Sequence, residues 1–415
     1  MTATMNARRP ALTTEGIRAH FPSLDRQHHG HPVAYFDGPG GTQVPRMVAD
    51  AMTDYLIHHN SNSGWAYPSS LETDAVVADG RRAMADFVNG APEEIVFGLN
   101  MTSLTFHLAR GLGRAWGTGD VVVVTELEHH ANQAPWRDLE AERGIEVRTV
   151  RMDPASGQLD WDDLTAKLKG NVKLLAIGAA SNALGTVTDV AAAAKLAKAA
   201  GALTFVDAVH YAPHVLPDVQ ALGCDFLACS AYKFHGPHLG ILWGRPELLN
   251  AVKVPKLIPA SNLAPDRLET GTPSFEAIAG TRAAVDFLAG IGDGDTRRDR
   301  LVQAFDAMHE RQQALMEQMW LGLSAIRGVS TYGPLPTEAR TSTVSFTVEG
   351  VSTVTVAQAL AEQAVFVSHG DFYATTVIEQ LGHSADGLVR AGAACYTTPL
   401  EVERLVQGVA LIASS

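Results

Sequence analysis

Short apolar runs alternate with longer amphipathic stretches along most of the chain. Apolar positions at three- and four-residue spacing predict helices over 75–89, 102–116, 133–143, 161–168 and 190–200. Between them, runs rich in Val, Ile and Leu predict strands over 94–98, 120–125, 145–151, 173–178 and 203–207. Strict alternation of the two kinds implies parallel strands joined by right-handed crossovers, with helices on both faces of the sheet. Two further apolar runs, 225–229 and 239–243, bracket a polar turn, and 240–244 reads as an antiparallel strand that closes the sheet. Upstream, the pattern predicts a short helix over 14–20, a strand over 33–37, a helix over 44–57 and a loop over 60–70 that carries Trp65 and Tyr67. Downstream, a helix over 276–288 leads into a Gly/Asp/Arg-rich connector, 290–300, and a long amphipathic helix over 301–326. Strands at 342–348, 364–367 and 388–392 and helices at 355–363 and 400–411 complete a smaller α+β pattern. The expectation is an α/β chain with a mostly parallel central sheet in a large domain over 34–275, and a small domain built from 1–33 and 276–415.

A chain of 415 residues exceeds one ordinary core and suggests two domains. Its net charge of −13 argues against nucleic acid and anionic membranes as partners, since both reward clustered Lys and Arg. Residues 1–10 are polar and no long apolar run follows, so neither a signal peptide nor a membrane span is read, and the cytoplasm is the expected compartment. Cys224, Cys229 and Cys395 show no CxxC spacing and are too few for a disulfide framework. His28, His29 and His31 lack a helical frame and an acidic partner, so they read as a solvated turn and no metal site is expected. The glycines at 38, 40 and 41 lie between a strand and a helix but fit neither nucleotide-binding spacing.

The chemistry concentrates at Ser230-Ala231-Tyr232-Lys233-Phe234-His235-Gly236-Pro237. A lysine between two apolar strands must bring its ammonium out of water. An amine so perturbed suits a Schiff base to an aldehyde cofactor, although a surface-turn lysine is the plain alternative. Asp207 ends the preceding strand, and residues at the carboxyl ends of parallel strands line the ligand crevice. Pyridoxal 5'-phosphate (PLP) calls for this pair, an amine for its aldehyde carbon and an acid for its ring nitrogen. A carboxylate about 4 Å from a pyridinium attracts it by about 4 kcal/mol at an effective dielectric near 20, before desolvation is subtracted. Other strand ends carry further candidates. Thr102 and Ser103 open a helix and can hold a phosphate or simply cap it. His129, in Glu128-His129-His130-Ala131-Asn132, can stack on a planar ring, and Asn182 can reach a ring hydroxyl. His210 and His214 have helical spacing, but Pro213 spoils a zinc-binding helix.

Taken together, Thr102, Glu128 to Asn132, Ser181 to Thr186, Val206 to His210, Ser230 to Pro237 and Glu269-Thr270-Gly271-Thr272-Pro273 resemble the class V aminotransferase family of fold-type I PLP enzymes, nearest its cysteine desulfurase and selenocysteine lyase branch. The resemblance implies that Lys233 carries the cofactor and later moves the Cα proton, that Asp207 meets the ring nitrogen and that His129 stacks on the ring. It further implies that Asn182 faces the ring hydroxyl with His210, which stands where the family has glutamine, and that Thr102 and Ser230 hold the phosphate. Tyr232 stands where the family commonly places a histidine. Thr272 would reach the phosphate of a neighbouring subunit in a homodimer with shared sites, and Arg390 would clamp the substrate carboxylate. The chain departs at Val367-Ser368-His369-Gly370-Asp371-Phe372-Tyr373-Ala374-Thr375, where desulfurases carry a reactive cysteine. Tyr373 falls near the nucleophile's place, and His369 or Tyr373 is left to meet the substrate. The expected activity is a C–S or C–Se lyase acting on an α-amino acid through a Schiff base and Cα deprotonation, without the usual cysteine nucleophile. The alternatives are a transaminase, an epimerase, or an inert PLP-fold binding protein.

Overall fold

The computed structural model describes residues 11–414. Residues 1–10, on which the reading of no signal peptide rests, lie outside them. The central sheet has seven strands: β1 (Ile95–Gly98), β2 (Val121–Thr125), β3 (Glu146–Val150), β4 (Val172–Gly178), β5 (Leu203–Asp207), β6 (Phe226–Ser230) and β7 (Gly240–Gly244). Their spatial order is β1-β7-β6-β5-β4-β2-β3. Strands β2 to β6 run parallel, and β7 is antiparallel to both of its neighbours. The strand expected to close the sheet is therefore internal, with β1 beyond it. All of its residues are buried, which an exposed edge would not allow.

Consecutive residues of these strands feed opposite faces. Val121, Val123, Leu175, Val206 and Leu227 join one apolar core, whereas Val122, Val124, Leu174, Phe205 and Phe226 join another. Both faces are thus covered, and the runs read as continuous apolar segments rather than alternating ones. The register places Asp207 beside Gly178 and Ala228, so the carboxyl ends of β4, β5 and β6 form one rim. The lysine turn leaves β6 at that rim.

A second, antiparallel sheet contains β8 (Val329–Tyr332), β9 (Thr343–Val348), β10 (Ser368–Gly370) and β11 (Leu388–Gly392), in the order β8-β9-β11-β10. Its outer strands β8 and β10 are short and half-exposed, and their mixed composition hides them from a periodicity argument. The helix Arg297–Ser324 starts earlier than expected because Thr296 and Asp299 cap each other's backbone. Near the amino end, Ala34–Tyr35 pairs in parallel with Val365–Phe366, and Asp37 bridges to Gly392. The glycine turn after Asp37 is thereby carried to the rim of the central sheet. Among the described residues no helix is long and apolar enough to cross a membrane.

Candidate active site

A cavity of about 650 Å³ opens where the rim of the central sheet, the glycine turn and β11 converge. Lys233 closes a single helical turn after β6 and is buried. Its Nζ donates to the carbonyls of Pro39 and Gly40. Burial, reinforced by the Arg390 charge, pushes the amine down to about 7, while Asp207 pulls it the other way. Asp207 lines the same cavity, and its Oδ1 accepts the Val209 amide at 2.9 Å. Burial raises this carboxyl to about 6, against the Val209 amide and the Lys233 charge. The amine and the acid expected to meet are brought to one cavity.

His129 also lines it. The Ala131 amide donates to His129 Nδ1 at 3.0 Å, which places the ring proton on Nε2. Burial and the Lys233 charge push this imidazole down to about 4, so it is neutral. His210 Nε2 lies 3.1 Å from the hydroxyls of both Thr341 and Thr343. A hydroxyl donating to Nε2 leaves the proton on Nδ1, which is buried and unpartnered. Burial holds His210 well below its usual range. The Asn182 amide donates to Phe372 O at 2.9 Å, and its Oδ1 is buried without a partner.

Ser230 Oγ accepts the amide of Met101, which ties the end of β6 to the start of the helix Met101–Gly113. Thr102 faces the cavity from that helix start, but Ser103 does not line it, because its hydroxyl closes a capping box with Asn100. Tyr232 lines the cavity and stacks on His238. Tyr373 lies at the mouth, 71% exposed and tilted against His129 at 5.6 Å. Thr272 and His369 are exposed and do not line the cavity.

Arg390 sits on β11, 4% exposed, and has no carboxylate within 4.0 Å among the described residues. Its Nη1 donates to Asn182 O at 2.8 Å, and its Nε is buried and unpartnered. Burial pushes this guanidinium down to about 9, while Asp37 and Tyr232 pull it back up. Asp37 attracts this cation without reaching salt-bridge distance, and burial beside so incomplete a partner is a costly arrangement that an incoming anion relieves.

Two cavity residues escaped sequence reasoning. Glu128 is fully buried and accepts from Thr125 Oγ1, Gly178 N and Asn132 Nδ2 at 2.6–2.8 Å. Burial pushes its carboxyl up to about 8 against these three donors. A Glu directly before His129 was the available signal. Phe372 lays its ring over the Arg390 guanidinium, 4.1 Å from the ring centre. Phe372 and Tyr373 both hold a φ of 56°, a left-handed backbone that costs a bulky residue roughly 1–3 kcal/mol. No local pattern announces either fact.

The unpartnered atoms Asn182 Oδ1, His210 Nδ1 and Arg390 Nε surround a buried, proton-poor amine and a buried acid. That donor set fits PLP, with an amine for the aldehyde, an acid for the ring nitrogen and polar atoms for the ring hydroxyl and an amino acid's carboxylate. Fold and cavity together define a fold-type I α/β enzyme that depends on PLP. The family description Aminotransferase class-V matches residues 34–405, and the chain belongs to that family. A probable cysteine desulfurase 2 of Mycobacterium leprae (strain TN) is 36% identical over 420 residues, covering 96% of each chain. A cysteine desulfurase of Yersinia pseudotuberculosis (serotype O:1b, strain IP 31758) is 32% identical, over 95% of this chain and 97% of its own. Among solved structures, the apo cysteine desulfurase of Thermococcus onnurineus NA1 superposes with a TM-score of 0.88 at 28% identity, covering 98% of this chain and all of that one. The Escherichia coli cysteine desulfurase CsdA, in its S-sulfonic acid form, gives 0.84 at 27% identity over 97% and 99%. The chain is a cysteine desulfurase-like, PLP-dependent enzyme of class V.

Proposed function

We propose that the enzyme cleaves the C–S or C–Se bond of an α-amino acid without a thiol of its own at the reacting side chain. The observation that carries this reading is the composition of the cavity, which unites Lys233, Asp207 and Arg390 and contains no cysteine. Each of the three cysteines is buried. His235 donates from Nδ1 to the carbonyl of Gln43, so its Nε2 accepts the Cys395 S–H at 3.3 Å. Burial raises the thiols of Cys395 and Cys229, and that of Cys224 to about 12, so none is poised as a thiolate.

When bound, PLP supplies an electron sink that acidifies the Cα–H of an attached amino acid. Lys233 would hold the group through its amine, and Asp207 would keep the ring nitrogen protonated. His129, neutral with its proton on Nε2, would cover one ring face. Asn182 and His210 would meet the ring hydroxyl, with Thr102 and Ser230 toward the phosphate. Freed of the cofactor, an amine near 7 can accept the Cα proton at neutral pH and return it. Arg390 would bind the carboxylate, and Tyr373 at the mouth would stand beside the leaving group. Residues 34–275 form the cofactor-binding unit in this reading, and 1–33 with 276–415 form the smaller one. We further propose a cytoplasmic homodimer in which Thr272 reaches the neighbouring site.

The test is a spectral and product screen of the purified holoenzyme against amino acids. The unaltered enzyme should absorb at about 420 nm, and Lys233→Ala should lose that band. Sulfide or selenide release should survive Cys395→Ser. Loss of release in that variant would restore a protein thiol to the mechanism. Conversion of a screened amino acid to its keto acid with no side-chain loss would favour a transaminase.

A further inference from the structure

The segment 370–374 crosses the mouth of the cavity in a conformation it would not adopt alone. Gly370, Phe372 and Tyr373 all have left-handed φ values, of 109°, 56° and 56°. Hydrogen bonds to its central residues hold it there. Asn182 Nδ2 donates to Phe372 O and the His130 amide to Tyr373 O, while Asp371 Oδ1 accepts the Tyr373 amide. Backbone strain fixed this firmly is worth a functional question.

Its effect falls on Arg390. The guanidinium has two faces and two hydrogen-bonding edges. One face is covered by the Phe372 ring, and Nη1 is committed to the carbonyl of Asn182. The Nε edge has no partner. Asn182 therefore ties both parts together, gripping Arg390 through its carbonyl and Phe372 through its amide group. A cation over an aromatic face is restrained in tilt as well as in distance. The plane of the guanidinium is set before any ligand arrives.

We propose that Phe372 is a specificity-determining residue that aims Arg390, leaving its Nε-side edge to take one carboxylate in one orientation. The ligand class selected is the α-amino acid, whose carboxylate and amine are separated by a single carbon. A β-amino acid would bring its carboxylate to the guanidinium at the wrong angle, and a plain amine would not use it. This inference rests on the amino-acid reading above but concerns a residue which that reading does not need.

The test uses the holoenzyme and three amines: L-alanine, β-alanine and ethylamine. Each is titrated at equilibrium by the change in the visible absorbance of the bound cofactor. The unaltered enzyme should favour L-alanine over both others. Phe372→Ala should weaken L-alanine roughly 30-fold, the range expected for a desolvated cation–aromatic contact, with ethylamine unmoved. Phe372→Tyr should restore L-alanine to within about twofold, and a melting curve checks that each variant folds. The proposal is overturned if Phe372→Ala leaves the preference intact, weakens all three amines equally, or is not rescued by tyrosine. If no amine perturbs the spectrum of the unaltered holoenzyme, the amino-acid reading itself fails, which is a distinct result.

Discussion

Glu128 shows how much of a site can rest on one buried carboxyl in the cavity wall. Its two oxygens join the end of β2, through Thr125, to Gly178 of β4 and to Asn132, whose Oδ1 accepts from Trp136 Nε1. Glu128→Gln keeps the shape but sets an amide N–H against existing donors. The mismatch should cost about 1–3 kcal/mol, read as a lower midpoint in urea, and should loosen the turn that carries His129. A variant as stable as the parent would mean that these contacts are dispensable. Lys233 and Asp207 were legible in the sequence because each stands in a short phrase at a strand end or turn, whereas Arg390 was reached only through the family resemblance. Phe372 was not, since its meaning depends on an arginine on another strand. Ser103 read equally as a phosphate ligand or a cap, and its hydroxyl closes the cap.

The alternation of strand and helix was plain from the all-apolar runs, because parallel strands covered on both faces need no polar side. Edge order was not, because pairing partners leave no trace within a single run. Gly240 illustrates the cost of that arrangement. It starts β7, where a Cβ would collide with the backbone of Asn100, the residue that caps the helix Met101–Gly113. The close approach lets Ser230 reach the Met101 amide at 3.1 Å. Gly240→Ala should cost about 3 kcal/mol as an overpacking substitution against backbone. It should also weaken PLP retention on dialysis, because the helix start that presents Thr102 is pushed away. Unchanged stability and retention would show that the helix can shift freely.

At the scale of the molecule, buried imidazoles and buried carboxyls compete in the response to acid. His129, His214 and His235 are pushed down to about 4 and His210 well below its usual range, each chiefly by burial. In the unfolded chain they take up protons near 6.5, so the stability they lend is present above that pH and is lost as pH falls toward 4. Asp207 and Glu128 act oppositely, since their folded values of about 6 and about 8 exceed the unfolded ones. Between about pH 4.5 and 6 five imidazoles, His107 included, oppose four carboxyls, Asp37 and Glu269 included, and the cofactor-free protein should lose stability gently on acidification. Urea midpoints measured across that window give the slope, and a flat or inverted profile would refute the balance.

The helix Arg297–Ser324 enters this picture as a shared column. Leu301, Ala304, Phe305 and Met308 belong to the core under the central sheet, whereas Leu315, Met316, Met319, Trp320 and Leu323 belong to the core of the second sheet. Neither half of the chain, severed near residue 300, could keep its apolar surface covered by itself. Fragments made there would stick to one another or to themselves before they folded, and the enzyme stands or falls as one piece.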